Sequence, residues 1–137
     1  MVLNNTPYIY NLIMRYRYYN PNPIKSNGGD CVVRMLCCVT GRPWADVYLD
    51  LVEKGLEMGD MPSVNVVWVA FLRDLGFKRY SLPDTCPNCY SIEEFCIEHP
   101  KGTYVLGTGS HVVCVKDGYY YDSWDSGKEI PMFYLRR

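Results

Sequence analysis

The chain has 137 residues, a formal net charge of −1, 48% hydrophobic residues and 21% charged residues. This length and apolar content predict a single domain, residues 1–137, with a core of its own, and they exclude an intrinsically disordered chain. The near-zero net charge gives no general electrostatic reason to bind nucleic acid or an anionic membrane. No apolar run approaches the roughly 20 residues of a transmembrane helix, and Met1–Ile13 lacks the basic start and cleavage site of a signal peptide.

Seven cysteines are many for a chain of this length. Because their number is odd and no secretion signal is present, the sequence favours reduced thiols in the cytoplasm over a framework of disulfides. Most of these thiols are expected to be small buried hydrophobic groups. The cysteines expected to be buried and inert are Cys37, Cys38 and Cys114.

Residues 1–24 are predicted to form an irregular N-terminal extension. In Asn20–Pro23, prolines alternate with asparagines, a pattern typical of an extended stretch rather than a helix. The preceding segment, Arg15–Tyr19, alternates basic and aromatic side chains, which also fits an edge strand with tyrosines packed on one side. The same alternation would suit stacking on single-stranded nucleic acid, but the overall charge disfavours that partner.

Four helices follow, and the first is the most apolar. It is predicted from about Cys31 to Thr40, with Asp30 as its N-cap and Gly41 as its end. Because it is apolar nearly all round, we expect it to be buried in the middle of the fold.

The next three helices are marked by their boundary residues. Pro43 opens the second helix, and the third lies between Ser63 and Gly76. Ser91 begins the fourth, with Glu94 completing a capping box.

The pattern changes to strands after the fourth helix. Four segments rich in Val, Tyr, Ile and Phe are bounded by Gly, Asp and Ser, as strands are. The predicted strands are residues 103–106, 110–116, 119–123 and 130–135. Helices followed by a run of antiparallel strands indicate an α+β domain.

Cys31 has the position that a thiol nucleophile needs. A cysteine attacks as its thiolate, so its pKa must fall below the usual value of about 8.5. The first position of a helix favours the thiolate through unpaired N–H groups and the positive end of the helix dipole. Those amides can also donate to a developing oxyanion. Arg34, one turn further on, could add positive potential beside the thiol, but it is expected to be a solvated charge.

A hairpin in the second half of the chain gives this cysteine a specific set of partners. The pair Asp117-Gly118 is a strong signal for a two-residue type I′ turn. If it closes the hairpin, Lys116 lies opposite Tyr119 and Val113 lies opposite Asp122. A shift of one residue would move Asp122 to the other face, so the register is a specific prediction.

In this register His111 lies opposite Trp124 and diagonal to Asp122, so the three side chains share a face. Asp125 falls on the other face. Asp122 can then fix the tautomer of His111, which can activate Cys31 and protonate the leaving group. The sequence therefore predicts a catalytic set of Cys31, His111 and Asp122.

These residues resemble those of papain-like cysteine peptidases. That family carries its nucleophilic Cys at the start of a central buried helix and its His on a later strand, followed by Asn-Ser-Trp. Asp122-Ser123-Trp124 matches with Asp in place of Asn, a replacement also used by bacteriocin-leader peptidases and transglutaminase-like relatives. The resemblance implies a papain-like fold, with N-terminal helices and a central buried helix packed on a C-terminal antiparallel sheet. It also implies that Trp124 shields the contact between His111 and the orienting residue.

The oxyanion hole departs from the papain-like pattern. Members of the family usually place a Gln six residues before the Cys, where this chain has Lys25, and the chain contains no Gln. The resemblance then implies that the Cys31 amide acts with a second donor from the segment of Lys25, Ser26 and Asn27.

From about Arg15 to Arg137 the chain is also similar to short proteins of gut Firmicutes and their phages. The similar segments are Asn-Pro-Asn-Pro, Gly-Asp-Cys-Val-Val-Arg and a hairpin that contains His-Val-Val and ends Tyr-Asp-Ser-Trp-Asp-Ser. This similarity implies a phage or mobile-element origin, and with it an alternative function as a catalytically silent binding protein.

A possible metal site has the pattern C-x₂-C-x₆-C-x₂-H, formed by Cys86, Cys89, Cys96 and His99. Two close pairs of N and S ligands could make a structural zinc site, and the protein would then be a zinc-stabilised adaptor. However, Cys96 and His99 also lie on the buried face of the fourth helix, where Cys is a normal packing residue. We therefore do not favour zinc.

The sequence as a whole predicts a papain-like thiol hydrolase that cleaves a peptide or other amide bond in a peptide or protein substrate. It would need no cofactor. The silent binding protein and the zinc-stabilised adaptor stay open as alternatives.

Overall fold

The computed structural model describes residues 14–26 and 28–137, which form an α+β fold with helices on both faces of a six-stranded sheet. The helices are α1 (Cys31–Thr40), α2 (Trp44–Met58), α3 (Asn65–Asp74) and α4 (Ile92–Glu98). The strands are β1 (Tyr16–Tyr18), β2 (Lys78–Ser81), β3 (Thr103–Gly107), β4 (Val112–Lys116), β5 (Tyr119–Asp122) and β6 (Phe133–Arg136). Residues 1–13, which contain the first half of the predicted extension and the segment expected not to be a signal peptide, lie outside the described residues.

The sheet is mixed, with the strand order β1-β5-β4-β3-β6-β2. Strands β2 to β6 pair antiparallel, whereas β1 runs parallel to β5. This corrects two expectations, because the sheet is not purely antiparallel and Tyr16–Tyr18 is not irregular. The alternating side chains explain the strand: the Tyr16 ring lies 5.5 Å from the Tyr120 ring, and Arg17 lies over the Tyr119 ring.

The four predicted helices are confirmed. Gly41 ends α1 with a left-handed φ of 70°, and Ser91 and Glu94 form the predicted capping box of α4. The expectation for Asp30 was wrong in part, since its carboxylate makes no capping hydrogen bond to α1. Within residues 14–26 and 28–137, no helix is long and apolar enough to span a membrane.

Strand β2 was not predicted from the sequence. It is a short edge strand whose residues are mostly exposed, so it carries no clear alternation of apolar and polar side chains. Its pairing with β6 defines it as a strand.

Two apolar layers enclose the sheet. On one face, α1 lies against β4 and β5 and is covered by α2, so that all its residues from 32 to 39 are buried. On the other face, α4 packs against β3, β4 and β5. The burial expected for Cys37, Cys38 and Cys114 is confirmed, and burial raises the pKa of the Cys37 thiol to about 11.

The predicted register of the β4–β5 hairpin is confirmed. Asp117 and Gly118 have φ values of 49° and 81°, and a type I′ turn requires positive φ at both positions. Lys116 pairs with Tyr119, and the pairing continues in this register to Cys114 and Tyr121. The turn therefore determines which residues face one another further along the hairpin.

We expect Gly118→Ala to destabilise the protein, because an L-residue is strained at this φ and its Cβ would lie 3.2 Å from the Cys96 carbonyl oxygen. The free energy of unfolding should fall by about 1–2 kcal/mol, measured by urea denaturation. Gly29→Ala is a matched control, since its φ is not positive and an added Cβ meets no atom within 4 Å. Equal losses in the two variants would contradict this role of the turn.

Candidate active site

Cys31 is the first residue of α1, and it is half-buried beside the His111 imidazole. The helix brings the thiol to this place because α1 packs across β4 and β5. At the first position of the helix, the backbone N–H has no carbonyl partner within α1. The thiol and a potential oxyanion donor therefore belong to the same residue.

His111 and Asp122 are joined across the hairpin as predicted. The Nε2 atom of His111 lies 2.6 Å from Oδ2 of Asp122, and both side chains are largely shielded from solvent. The Trp124 ring lies 4.9 Å from the His111 ring, so it covers this contact from the solvent side. Asp125 is on the other face, where it accepts a hydrogen bond from the Tyr120 hydroxyl.

The Asp122 carboxylate is fully buried and accepts hydrogen bonds at both oxygens. At Oδ2 it accepts from the Ser126 hydroxyl as well as from His111, and both distances are 2.6 Å. At Oδ1 it accepts from the Ser123 amide at 2.8 Å and from Arg34 at 3.0 Å. Ser126 was not predicted as a site residue. The one feature of the sequence that points to it is its position four residues after Asp122.

Arg34 was expected to be solvated, and this was wrong. Its side chain is 6% exposed and lies between two carboxylates, with Nη1 2.7 Å from Asp30 and Nη2 3.0 Å from Asp122. The spacing of Asp30 and Arg34, four residues apart in the sequence, was the available signal for the first contact. The second contact joins residues 88 positions apart, so it depends on the tertiary fold.

The charges of the site favour a thiolate and a protonated imidazole. Burial alone would raise the pKa of Cys31, but the hydrogen bond from His111 and its charge outweigh burial, so this pKa is lowered. Burial alone would lower the pKa of His111, but hydrogen bonds with Asp122 and Cys31 raise it to about 9. Burial alone would raise the pKa of Asp122. Hydrogen bonds from His111 and Ser126 and the positive charges of His111 and Arg34 outweigh burial, so this pKa is lowered.

Two hollows meet at Cys31 and His111, and both side chains line each of them. The larger has a volume of about 520 Å³, and the smaller about 150 Å³. Other residues of the larger hollow are Gly28, Gly29, Arg34, Ser110, Ser123 and Trp124. A third hollow of about 520 Å³ lies between α2 and α3, but acidic and apolar side chains and one lysine line it, without a nucleophile.

The structure does not place Lys25 in the site. Its Nζ donates to the Asn20 carbonyl oxygen at 2.6 Å, and Lys25 lines neither hollow. The Ser26 hydroxyl accepts from the Gly28 amide. Asn27, the other predicted donor, lies outside the described residues. The prediction of Lys25 as an oxyanion donor is therefore corrected, and the Cys31 amide is the donor that the described residues supply.

The possible zinc ligands are not brought together. Cys86 and Cys89 are exposed, whereas Cys96 is fully buried under the sheet. His99 stacks on the Phe95 ring at 3.8 Å. In the part of the chain that the structure describes, no group of three or more His, Cys, Asp or Glu side chains is arranged to hold a metal ion.

Comparisons with known proteins do not assign the chain to a family. No protein-family model matches the sequence, and no curated protein or solved structure shows significant similarity to it. A function must therefore be argued from the geometry of the site.

We expect His111 to stay protonated up to a pH of about 9, and its titration midpoint to fall in Asp122→Asn. A raised pKa means that its charge stabilises the folded state below the usual value of about 6.5, and that this stabilisation is lost as the pH rises through about 9. NMR titration of labelled histidines measures both midpoints, with His111→Ala to assign the signal. An unchanged midpoint in Asp122→Asn would show that the carboxylate does not hold the proton on His111.

Proposed function

We propose that the protein is a papain-like thiol hydrolase that cleaves a peptide or other amide bond through Cys31, His111 and Asp122. The observation that carries the proposal is the position of the His111 ring between two partners. Its Nε2 atom contacts Asp122, and its other nitrogen, Nδ1, is therefore available to the Cys31 thiol. Cys31 begins a buried helix while His111 and Asp122 belong to the hairpin beneath it, and this arrangement supports a papain-like enzyme.

In the acylation step, the Cys31 thiolate attacks the carbonyl carbon of the scissile amide and forms a C–S bond. The Cys31 amide, at the positive end of α1, donates to the oxyanion that develops on the carbonyl oxygen. Protonated His111 gives its proton to the leaving amine as the C–N bond breaks. An acyl group is then held as a thioester on Cys31, and His111 is neutral.

In the deacylation step, neutral His111 takes a proton from a water molecule, which attacks the thioester carbonyl. The C–S bond breaks, the acid product leaves, and the thiolate and the imidazolium are restored. Asp122 keeps the His111 ring in one orientation and stabilises its positive charge in both steps.

A peptide or protein substrate can reach Cys31 through the larger hollow. Gly28 and Gly29 are exposed at its edge, so an extended chain can approach the backbone closely beside Cys31. We place the reaction in the cytoplasm, because all seven cysteines are unpaired and the proposed chemistry requires a free thiol.

The second candidate function is a catalytically silent papain-like binding protein of phage or mobile-element origin. It is favoured by one observation, namely that Lys25 occupies the position of the usual Gln and donates to Asn20 instead of facing the nucleophile. A weak oxyanion hole would allow the thiolate to form without efficient turnover.

Alkylation with iodoacetamide tests for the activated thiol. At pH 6 we expect Cys31 to react faster than the exposed Cys86 and Cys89, which serve as references in the same molecule. His111→Ala should slow the labelling of Cys31 about 100-fold, because the thiolate loses its partner. Peptide mass spectrometry gives the rate at each cysteine. Equal rates at Cys31 and the two exposed cysteines would sink the hydrolase proposal.

Hydrolysis of p-nitrophenyl acetate separates the enzyme from the silent binding protein. An enzyme should release a burst of p-nitrophenol, form an acetyl adduct on Cys31 and then turn over, and Cys31→Ser should abolish all three. Intact-mass measurements follow the adduct with time. An adduct that forms on Cys31 and persists without turnover would favour the binding protein.

A further inference from the structure

Arg34 has a set of contacts that the proposed reaction does not use directly. Its Nη1 atom donates to Asp30 at 2.7 Å, and its Nε and Nη2 atoms donate to Oδ1 of Asp122 at 3.2 Å and 3.0 Å. The residue is 5% exposed. The guanidinium therefore joins the residue that precedes the nucleophile to the residue that orients the histidine.

We propose that Arg34 is a positioning residue of the active site, which fixes the Asp122 carboxylate relative to the start of α1 and thereby aligns His111 with Cys31. The proposal rests on the function proposed above. Arg34 does not contact the reacting atoms in this role, because its described hydrogen bonds go to the two carboxylates.

The two oxygens of the Asp122 carboxylate have different partners, and this supports the role of Arg34. Two nitrogens of Arg34 and the Ser123 amide donate to Oδ1, so the carboxylate cannot rotate without breaking these three contacts, and Oδ2 stays directed at His111. The planar guanidinium donates in two directions at fixed angles, which a lysine ammonium on a flexible stem does not reproduce.

Asp30 holds the other end of the guanidinium firmly. Its second oxygen, Oδ2, accepts from the Trp44 indole at 3.0 Å and from the Asn22 amide at 3.2 Å. Because buried ion pairs contribute little net stability, packing alone gives no reason for charges at this place. The contacts instead connect α1, α2 and the hairpin at the site of the thiol.

The charge of Arg34 has a separate effect that can be measured. The ionisable groups around it are Asp30, Cys31, Asp122, His111 and the Tyr16 hydroxyl, which donates to the Asp122 carbonyl oxygen. A cation here favours the thiolate of Cys31 and disfavours the imidazolium of His111. Removal of the Arg34 charge should therefore raise the pKa values of both Cys31 and His111. The pH range in which the thiolate and the imidazolium coexist should then shift upward at both ends.

The test compares Arg34→Gln with Arg34→Lys in the full chain, with folding checked by circular dichroism. In Arg34→Gln, we expect both edges of the pH profile of Cys31 alkylation to shift upward. In Arg34→Lys, which keeps the charge, the profile should stay close to that of the wild type, but hydrolysis of p-nitrophenyl acetate should fall about tenfold because the carboxylate is held less precisely. Arg42→Gln is the matched control: Arg42 pairs with Asp50 on the surface, and its loss should change neither readout.

The positioning role is overturned if Arg34→Lys hydrolyses the ester at the wild-type rate, and the effect of the charge is overturned if folded Arg34→Gln keeps the wild-type profile. If Arg34→Gln does not fold, Arg34→Lys decides through its hydrolysis rate. Failure of the proposed function gives a different result, since the wild type itself would then lack rapid, His111-dependent alkylation. If the wild type is acetylated on Cys31 but does not turn over, the rate at which the acetyl adduct forms in Arg34→Lys is the deciding measurement.

Discussion

The burial of one negative charge, on Asp122, constrains the whole site. An ionised carboxylate that leaves water loses several kcal/mol of solvation unless polar partners replace the water. Here the partners come from three parts of the chain: Arg34 from α1, His111 from the segment before β4, and two serines after β5. The charge can be accommodated only when these parts are assembled, so the site and the packing of α1 on the hairpin depend on each other.

The two layers of the fold place this charge beside the thiol. Helix α1 is buried along nearly its whole length, and Cys31 at its first position is half-buried. Since the helix cannot move without opening the core, the thiol is held by packing while the histidine is held by hydrogen bonds. For the proposed hydrolase, two different kinds of interaction would keep the thiol and the imidazole in place before a substrate binds.

The proposed nucleophile and its partners are better defined than the proposed oxyanion hole. The Cys31 amide supplies one donor by its position, but Lys25 is committed to Asn20, and Asn27 lies outside the described residues. Because only one oxyanion donor is defined among the described residues, a binding protein is the alternative to a hydrolase. Because electrostatic stabilisation of the oxyanion is usually a large part of acyl-transfer catalysis, a weak oxyanion hole would slow both acylation and deacylation even at an activated thiol.

Local sequence determined the helices, the type I′ turn and the shared face of His111, Asp122 and Trp124, because helix caps, turn residues and strand alternation act over a few neighbouring residues. Strand β2 was not determined in this way, since a short exposed strand forms through pairing with a neighbour. The alternating side chains of β1 fitted an edge strand, but its parallel pairing with β5 was decided by the tertiary structure. The same holds for Arg34. In the sequence, Arg34 is a charge on an apolar helix. It becomes a buried partner of the proposed active site because the tertiary fold brings Asp122, 88 positions away, into contact with it.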